Sequence, residues 1–210
     1  RSGCNDTWIV KPVGLSCGED IRLCRGLHAL LLQVEAMEHK CVVQRYVERP
    51  LLVRQRRKFD IRQWVLVTGV EPVAVHGFSE FYARLSGKPY ALEGSSLGDR
   101  VVHLCNNAVQ VTAEGYRDGV AGDGDGTADA AETVCDTMMS MAQLRSELEM
   151  QGHDGRLALE TVVAQMKRIC VDTVLSVRDK LQRVGAGFEW LGFDFIVTED
   201  LHVLMLECNV

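Results

Sequence analysis

Apolar positions along the chain fall into two rhythms. The run "TWIVKPVG" closes on Lys11, Pro12 and Gly14 and is followed by "GLSCGED", which reads as a strand feeding a βα-type phosphate loop. Residues 26 to 39 then place Leu27, Leu30, Leu31, Val34 and Met37 at helical spacing, so a helix packed on a sheet is expected. Three runs rich in Val, Ile, Phe and Trp follow, "CVVQRYV", "KFDIRQWVLVT" and "PVAVHGF". Pro50, Gly69 and Pro72 punctuate them as strands. "SEFYARLSGKPYAL" adds a strand and a turn. Between residues 156 and 184, Leu159, Val163, Met166, Ile169, Cys170, Val174, Val177 and Leu181 recur every 3.6 residues. They predict a long amphipathic helix stopped by Gly185 and Gly187.

From about residue 112 the pattern dissolves into Gly, Asp and Ala, which cannot pack; a flexible insertion over about 112–155 is expected. Within it, "DGDGTADAAE" fails the twelve-residue calcium-loop pattern.

The last apolar stretch, "GFDFIVTEDLHVLMLECN", is a hairpin interrupted by polar residues in its strands. An even-length turn centred on Glu199–His202 sets Asp194 opposite Glu207, and Asn209 shares their face opposite Gly192. Such neighbours stand about 5 Å apart at Cβ. Two carboxylates facing each other in an apolar sheet repel unless a cation lies between them, and an oxygen-only set suits Mg²⁺ with nucleotide phosphates. The alternative is that one carboxylate faces solvent and binds nothing.

Lys58, Asp60 and Arg62 lie on one face of their strand, with Phe59, Ile61 and Val65 on the other. Lys58 suits phosphate, Asp60 a ribose hydroxyl or an amine, and Arg62 a planar anion; a self-neutralising exposed face fits the same pattern. Lys11, ahead of its glycine loop, is a candidate phosphate ligand, although the loop lacks the Gly-Lys-Ser/Thr ending of a Walker A motif. Backbone groups of Gln44 to Val47 suit an adenine edge.

Composition narrows the classes. The chain has 210 residues, 47% apolar, enough for one sizeable core or two lobes. A net charge of −6 argues against nucleic acid as a partner. No apolar run reaches the roughly 20 residues of a membrane helix, and "RSGCNDTWIV" lacks the order of a secretory signal. The 8 cysteines show no CxxC or Cys/His spacing and read as reduced thiols in a cytosolic setting. Arg49, Arg54, Arg56, Arg57 and Lys58 form a basic stretch, read either as a solvated loop or as an attractor of acidic peptide.

In order, the blocks "WIVKPVGLSCGEDI", "VVQRYVERPLLV", "RKFDIRQWVLVT", "YARLSGKPY", "HLCNNAVQ" and "FEWLGFDFIVTEDLHVLMLECN" resemble the tubulin tyrosine ligase-like family, most closely its glycylase branch. The resemblance implies an α+β ATP-grasp fold of mixed and antiparallel sheets with packed helices. It divides the chain into a central lobe over 1–50 and a C-terminal lobe over 51–210. It implies ATP and Mg²⁺ as cofactors, with Lys11, Ser16 and Gly18 on the phosphates and Gln44, Arg45, Tyr46 and Val47 lining the adenine pocket. Lys58, Asp60 and Asn106 would also face the nucleotide, Arg62 and Arg84 the amino acid or acyl phosphate, and Asp194, Glu207 and Asn209 the metal. The pairing of "KFDIRQW" with "HLCNN", where many relatives carry Thr in place of Cys105, is what looks most like the glycylase branch. Two departures stand out: Cys17 where the family usually has Arg, and the lack of the amino-terminal region expected before the first block. The resemblance also implies a piece of a longer protein.

The function so implied is ligation of glycine to glutamate side chains of tubulin tails, on cytoplasmic microtubules and the axoneme of cilia or flagella, without nucleic-acid or membrane partners. Polyglutamylation by the same chemistry, and a catalytically silent microtubule-binding relative, are the rivals.

Overall fold

The structure, a computed structural model, describes residues 6–112, 137–181 and 187–210. The chain forms two compact units. The first comprises Arg1–Arg49, Gln55–Lys58 and Leu85–Thr137; the second comprises Pro50–Arg54, Phe59–Arg84 and Met138–Val210. The expected lobes, 1–50 and 51–210, are each continuous in sequence, whereas each of these units is assembled from three segments.

The first unit holds an antiparallel sheet in the order β2-β1-β3, with β1 at Thr7–Pro12, β2 at Arg22–Arg25 and β3 at Cys41–Arg45. Alternation along β1 sends Ile9 to one face and Val10 to the other. Ile9 packs with Leu23, Tyr46, Leu104 and Val109, and Val10 packs with Cys24 and with Leu30 of α1 (Leu27–Glu35). "GLSCGED" was expected to lead into a helix, but it reverses the chain into β2. Gly14, Cys17, Gly18 and Asp20 all take left-handed backbone angles (φ 87°, 59°, 77° and 50°), which make that reversal. Two short helices, α2 (Arg100–His103) and α3 (Asn107–Gln110), bracket Cys105 and Asn106.

The second unit is built on a larger sheet whose path is β10-β9-β5-β7-β8, with β4 and β6 also paired to β5. Its strands are β4 (Leu52–Val53), β5 (Arg57–Val70), β6 (Val73–Gly77), β7 (Tyr82–Pro89), β8 (Met138–Ser140), β9 (Glu189–Val197) and β10 (Val203–Asn209). Odd positions of β5 and β9 carry the core: Phe59, Ile61, Val65, Phe193 and Phe195 are all buried. The long helix, α5, places Val162, Met166, Cys170 and Val174 one turn apart as its buried stripe. It spans Gly155–Ser176, short of the expected residue 184, and passes into a turn at Val177, which is 38% exposed and adds nothing to that stripe.

Of the expected insertion, residues 113–136 lie outside the described residues, as does the rejected calcium-like stretch. Residues from Met138 are ordered: β8 runs straight into α4 (Met141–Met150). The Ser140 hydroxyl accepts from the Gln143 N–H and the Gln143 side chain accepts from the Ser140 N–H, a reciprocal cap that starts the helix.

The terminal hairpin turns on three residues, Glu199, Asp200 and Leu201, rather than an even number, so Val197 pairs with Val203. Leu201 takes the left-handed conformation such a loop requires (φ 61°). An irregularity between Met205 and Glu207 then moves the register by one residue. The two departures cancel, and Asp194 stands opposite Glu207 with Gly192 opposite Asn209. Gln165 of α5 steadies the tip, donating to the Leu201 carbonyl (2.8 Å) and accepting from the Val203 N–H (3.0 Å).

A left-handed leucine costs roughly 1–2 kcal/mol. Leu201→Gly is expected to raise stability by about 0.5 kcal/mol, once the greater entropy of unfolded glycine is subtracted, and the urea midpoint measures it.

Candidate functional site

The second unit brings six of the expected site residues onto one face of its sheet. β9 lies between β5 and β10, so Asp194 is paired with Arg62 on one side and with Glu207 on the other. Asp194 is 1% exposed. Arg62 grips it with two bonds, Nε to Oδ1 at 2.5 Å and Nη2 to Oδ2 at 3.0 Å. Arg84 donates to Asp194 Oδ2 at 2.9 Å and holds Asp60 through Nε and Nη2 at 2.7 and 2.9 Å. The Asn209 amide donates to Asp194 Oδ2 (3.4 Å) and to Glu207 Oε1 (3.2 Å).

Gly192 is part of this arrangement: a Cβ there would stand 3.1 Å from the Trp64 ring and 3.2 Å from Arg62 Nη1. The room expected beside Asn209 is filled by those two side chains, and the Arg62 guanidinium lies 5.2 Å from the Trp64 ring centre.

The charge chain Asp60–Arg84–Asp194–Arg62 explains how a carboxylate survives without water. Burial alone would raise the Asp194 carboxyl; hydrogen bonds and charge from Arg62 and Arg84 outweigh it and hold the group below its ordinary range. Asp194 in turn holds the Arg62 guanidinium above its ordinary value. The cation required between the paired acids is thus supplied in part by arginine. Both arginines, expected to face the amino acid or acyl phosphate, have their donors on aspartates.

For the metal, the donor set is the relevant observation. Asp194 and Glu207 carry carboxylate oxygens on one face, and Asn209, whose amide nitrogen bonds both of them, carries an amide oxygen as well; by ligand type the set fits Mg²⁺. Among the described residues no group of three or more His, Cys, Asp or Glu forms a metal cluster, so Asn209 is needed to complete the set.

In the first unit, Gly18 and Asn106 meet: a Cβ on Gly18 would stand 3.3 Å from Asn106 Oδ1 and 3.1 Å from Val109. Arg100 Nη2 donates to the Gly18 carbonyl at 2.5 Å, bringing a cation to the loop in which Cys17 takes an arginine's place. Strand alternation sets half-buried Lys11 on the Ile9 face of β1, which packs with Tyr46 and Val109. Ser16 is exposed, and its carbonyl accepts from the Glu19 N–H at 3.0 Å. Exposed Arg45 lies over the Trp8 ring at 5.7 Å, while Gln44 and Val47 flank buried Tyr46 half-buried.

Lys58 meets Tyr46 inside this unit. Its Nζ donates to the Tyr46 hydroxyl (3.0 Å) and to the His103 carbonyl (2.7 Å). Cys105 Sγ lies 3.7 Å from the Lys58 carbonyl. Sequence reasoning missed His103 and Arg100. His103 opens "HLCNN" three residues before Asn106, and that spacing was the signal available.

The basic stretch is divided, with Arg49 and Arg56 exposed and the other three drawn inward. Arg57 and Lys58 are buried, and Arg54 pairs with Glu147 at 3.4 Å. Arg54, Gln55 and Arg56 all have left-handed backbone angles at the turn between β4 and β5.

Antiparallel sheets with few helices, one carrying an acid–arginine cluster and the other a glycine loop with a buried lysine, define an α+β protein of the ATP-grasp-like type. The chain belongs to the tubulin-tyrosine ligase family, which it matches over residues 1–210. It is 35% identical over 214 residues to tubulin monoglycylase TTLL3 of Danio rerio, covering 100% of this chain and 26% of that protein. It is 31% identical over 209 residues to tubulin glycylase 3D of Tetrahymena thermophila, covering 99% of this chain and 19% of that one. It is 29% identical over 212 residues to protein monoglycylase TTLL8 of Mus musculus, covering 99% and 24%. The chain therefore spans about a quarter or less of the length of these relatives.

The cluster should be visible in stability. The folded Asp194 carboxyl holds its proton less tightly than the unfolded one, so its contribution is complete at neutral pH and is lost as pH falls through the depressed folded value. Asp194→Asn is expected to cost about 3 kcal/mol at pH 7, since it leaves two buried guanidiniums short of charge, and to flatten the acid limb of stability below about pH 4. Urea titrations of both proteins between pH 3 and 7 measure it.

Proposed function

We propose that this chain is the nucleotide- and metal-binding part of a ligase that joins glycine to glutamate side chains of tubulin tails. The carrying observation is the convergence of Asp194, Glu207 and Asn209 with Arg62 and Arg84 on one sheet face. The names of the relatives, glycylases and monoglycylases, support glycine over glutamate as the added amino acid.

The reaction runs in two steps. A glutamate side-chain carboxylate of the acceptor takes the γ-phosphoryl group of ATP, giving an acyl phosphate and ADP. The glycine amine then attacks the acyl carbon, phosphate leaves, the amine loses a proton, and an amide remains. Such transfers need placement and charge neutralisation more than covalent help.

Lys11 and Lys58, with the loop through Ser16 and Gly18, would hold the phosphates, and Gln44, Arg45, Tyr46 and Val47 the adenine. Asp60 and Asn106 would face the nucleotide as well. Asp194, Glu207 and Asn209 would carry Mg²⁺, which when bound neutralises charge on the phosphate oxygens. Arg62 and Arg84 stand beside that trio, where a carboxylate or acyl phosphate could exchange for part of their aspartate contacts. Such an enzyme works on cytoplasmic microtubules, with axonemes of cilia or flagella as the setting.

A silent binder of acidic tails draws little support from the basic stretch, since Arg57 and Lys58 are buried and Arg54 is paired, leaving Arg49 and Arg56 as its exposed cations. Among the described residues no helix is long and apolar enough to cross a membrane.

Incubation with ATP, Mg²⁺ and tubulin plus either glycine or glutamate, followed by mass analysis of the tails, tests the reading. Glycine adducts are expected; glutamate adducts would move the assignment to polyglutamylation. Glu207→Gln should lower ligation at least about 100-fold with its thermal midpoint nearly unchanged. Normal turnover in that variant removes the metal role.

A further inference from the structure

Lys58 is only 6% exposed, and its ammonium lies 4.7 Å from the centre of the Tyr46 ring while bonding the Tyr46 hydroxyl and the His103 carbonyl. The proton positions around it follow from one backbone atom. The Ser96 carbonyl, 2.9 Å from His103 Nε2, can only accept, so Nε2 carries the hydrogen. Neutral imidazole then has a bare Nδ1, and the Tyr46 hydroxyl, 3.0 Å away, donates to it. With its proton turned toward His103, the Tyr46 oxygen presents a lone pair to Lys58. Donation therefore runs one way, from Lys58 to Tyr46 to His103, and from the far side of His103 to Ser96.

A second proton on His103 would reverse the middle link and add positive charge beside Lys58. Burial and the Lys58 charge oppose it, pushing the imidazole down to about 4. Also facing this relay are Tyr90, whose ring stands edge-on to His103 at 5.8 Å and whose hydroxyl bonds both the Glu48 carbonyl and the Tyr46 hydroxyl, Cys105 beside the Lys58 carbonyl, and Asp99, which is itself paired with Lys88.

We infer that His103 is a positioning residue for Lys58: held in one tautomer by Ser96, it orients the Tyr46 hydroxyl as an acceptor and so keeps a buried lysine charged and fixed for a nucleotide phosphate. The phosphate part rests on the function proposed above; the relay does not. A histidine that only filled space would be replaceable by any side chain of similar size. One that works through Nδ1 is replaceable by asparagine, whose amide oxygen can stand in for that nitrogen, and not by leucine.

The test follows the side-chain carbon signals of isotopically labelled lysine by NMR across pH, without nucleotide, in the wild type, Tyr46→Phe, His103→Asn and His103→Leu. ATP–Mg²⁺ affinity is measured on the same samples by calorimetry. Tyr46→Phe and His103→Leu are expected to lower the Lys58 titration midpoint by about one pH unit, because the ammonium loses an acceptor but stays buried, and to weaken ATP about tenfold. His103→Asn should keep both near wild type. Tyr46→Phe removes a single oxygen and keeps the test open if His103→Leu does not fold. Equal midpoints in all four proteins, or asparagine no better than leucine, overturn the inference. The expected order of midpoints in a wild-type chain that binds no ATP would sustain the relay and sink the ligase reading.

Discussion

The candidate site depends on one buried carboxylate and the two guanidiniums that hold it. Asp194 sits at 1% exposure in the middle strand of three, a position where a bare charge costs several kcal/mol. Arg62 and Arg84 remove that cost, and Arg84 ties Asp60 into the same chain of charge. Asn209 then links Asp194 to the exposed carboxylate of Glu207. The face is thus a graded surface, from dry ion pairs at β5 to a solvent-facing acid at β10. A hard cation and an anionic substrate could each find opposite charge there.

The first unit uses the same economy differently. Its lysine is buried beside a tyrosine and a histidine, whose hydroxyl and backbone carbonyl accept from it while the tyrosine ring faces its charge.

Much of this was legible in residue order, though some of it for the wrong reason. The opposition of Asp194 and Glu207 was expected from an even turn; the chain reaches it through an odd turn and a later register shift. Parity along the strand nearest the site was what mattered, and the shift restored it. The helix α4 was hidden in a stretch read by its glycines, although Ser140 and Gln143 spell a helix start. The glycine loop does follow its strand, but its left-handed residues turn it into β2, a strand too short and too polar to announce itself.

By itself the sequence determined the strands with apolar odd positions, the long helix through Met166 and Cys170, and the grouping of Asp60 with Arg62 and of Asp194 with Glu207 and Asn209. All of these are periodicities of a single segment or hairpin, and period two or 3.6 is written in neighbouring residues. Only the tertiary structure decided that Arg62 binds Asp194, that Arg84 spans two aspartates, and that the His103 carbonyl accepts from Lys58. Each joins residues more than twenty positions apart, and which distant segments pair depends on the whole chain's burial of its apolar faces, a sum that no local pattern contains.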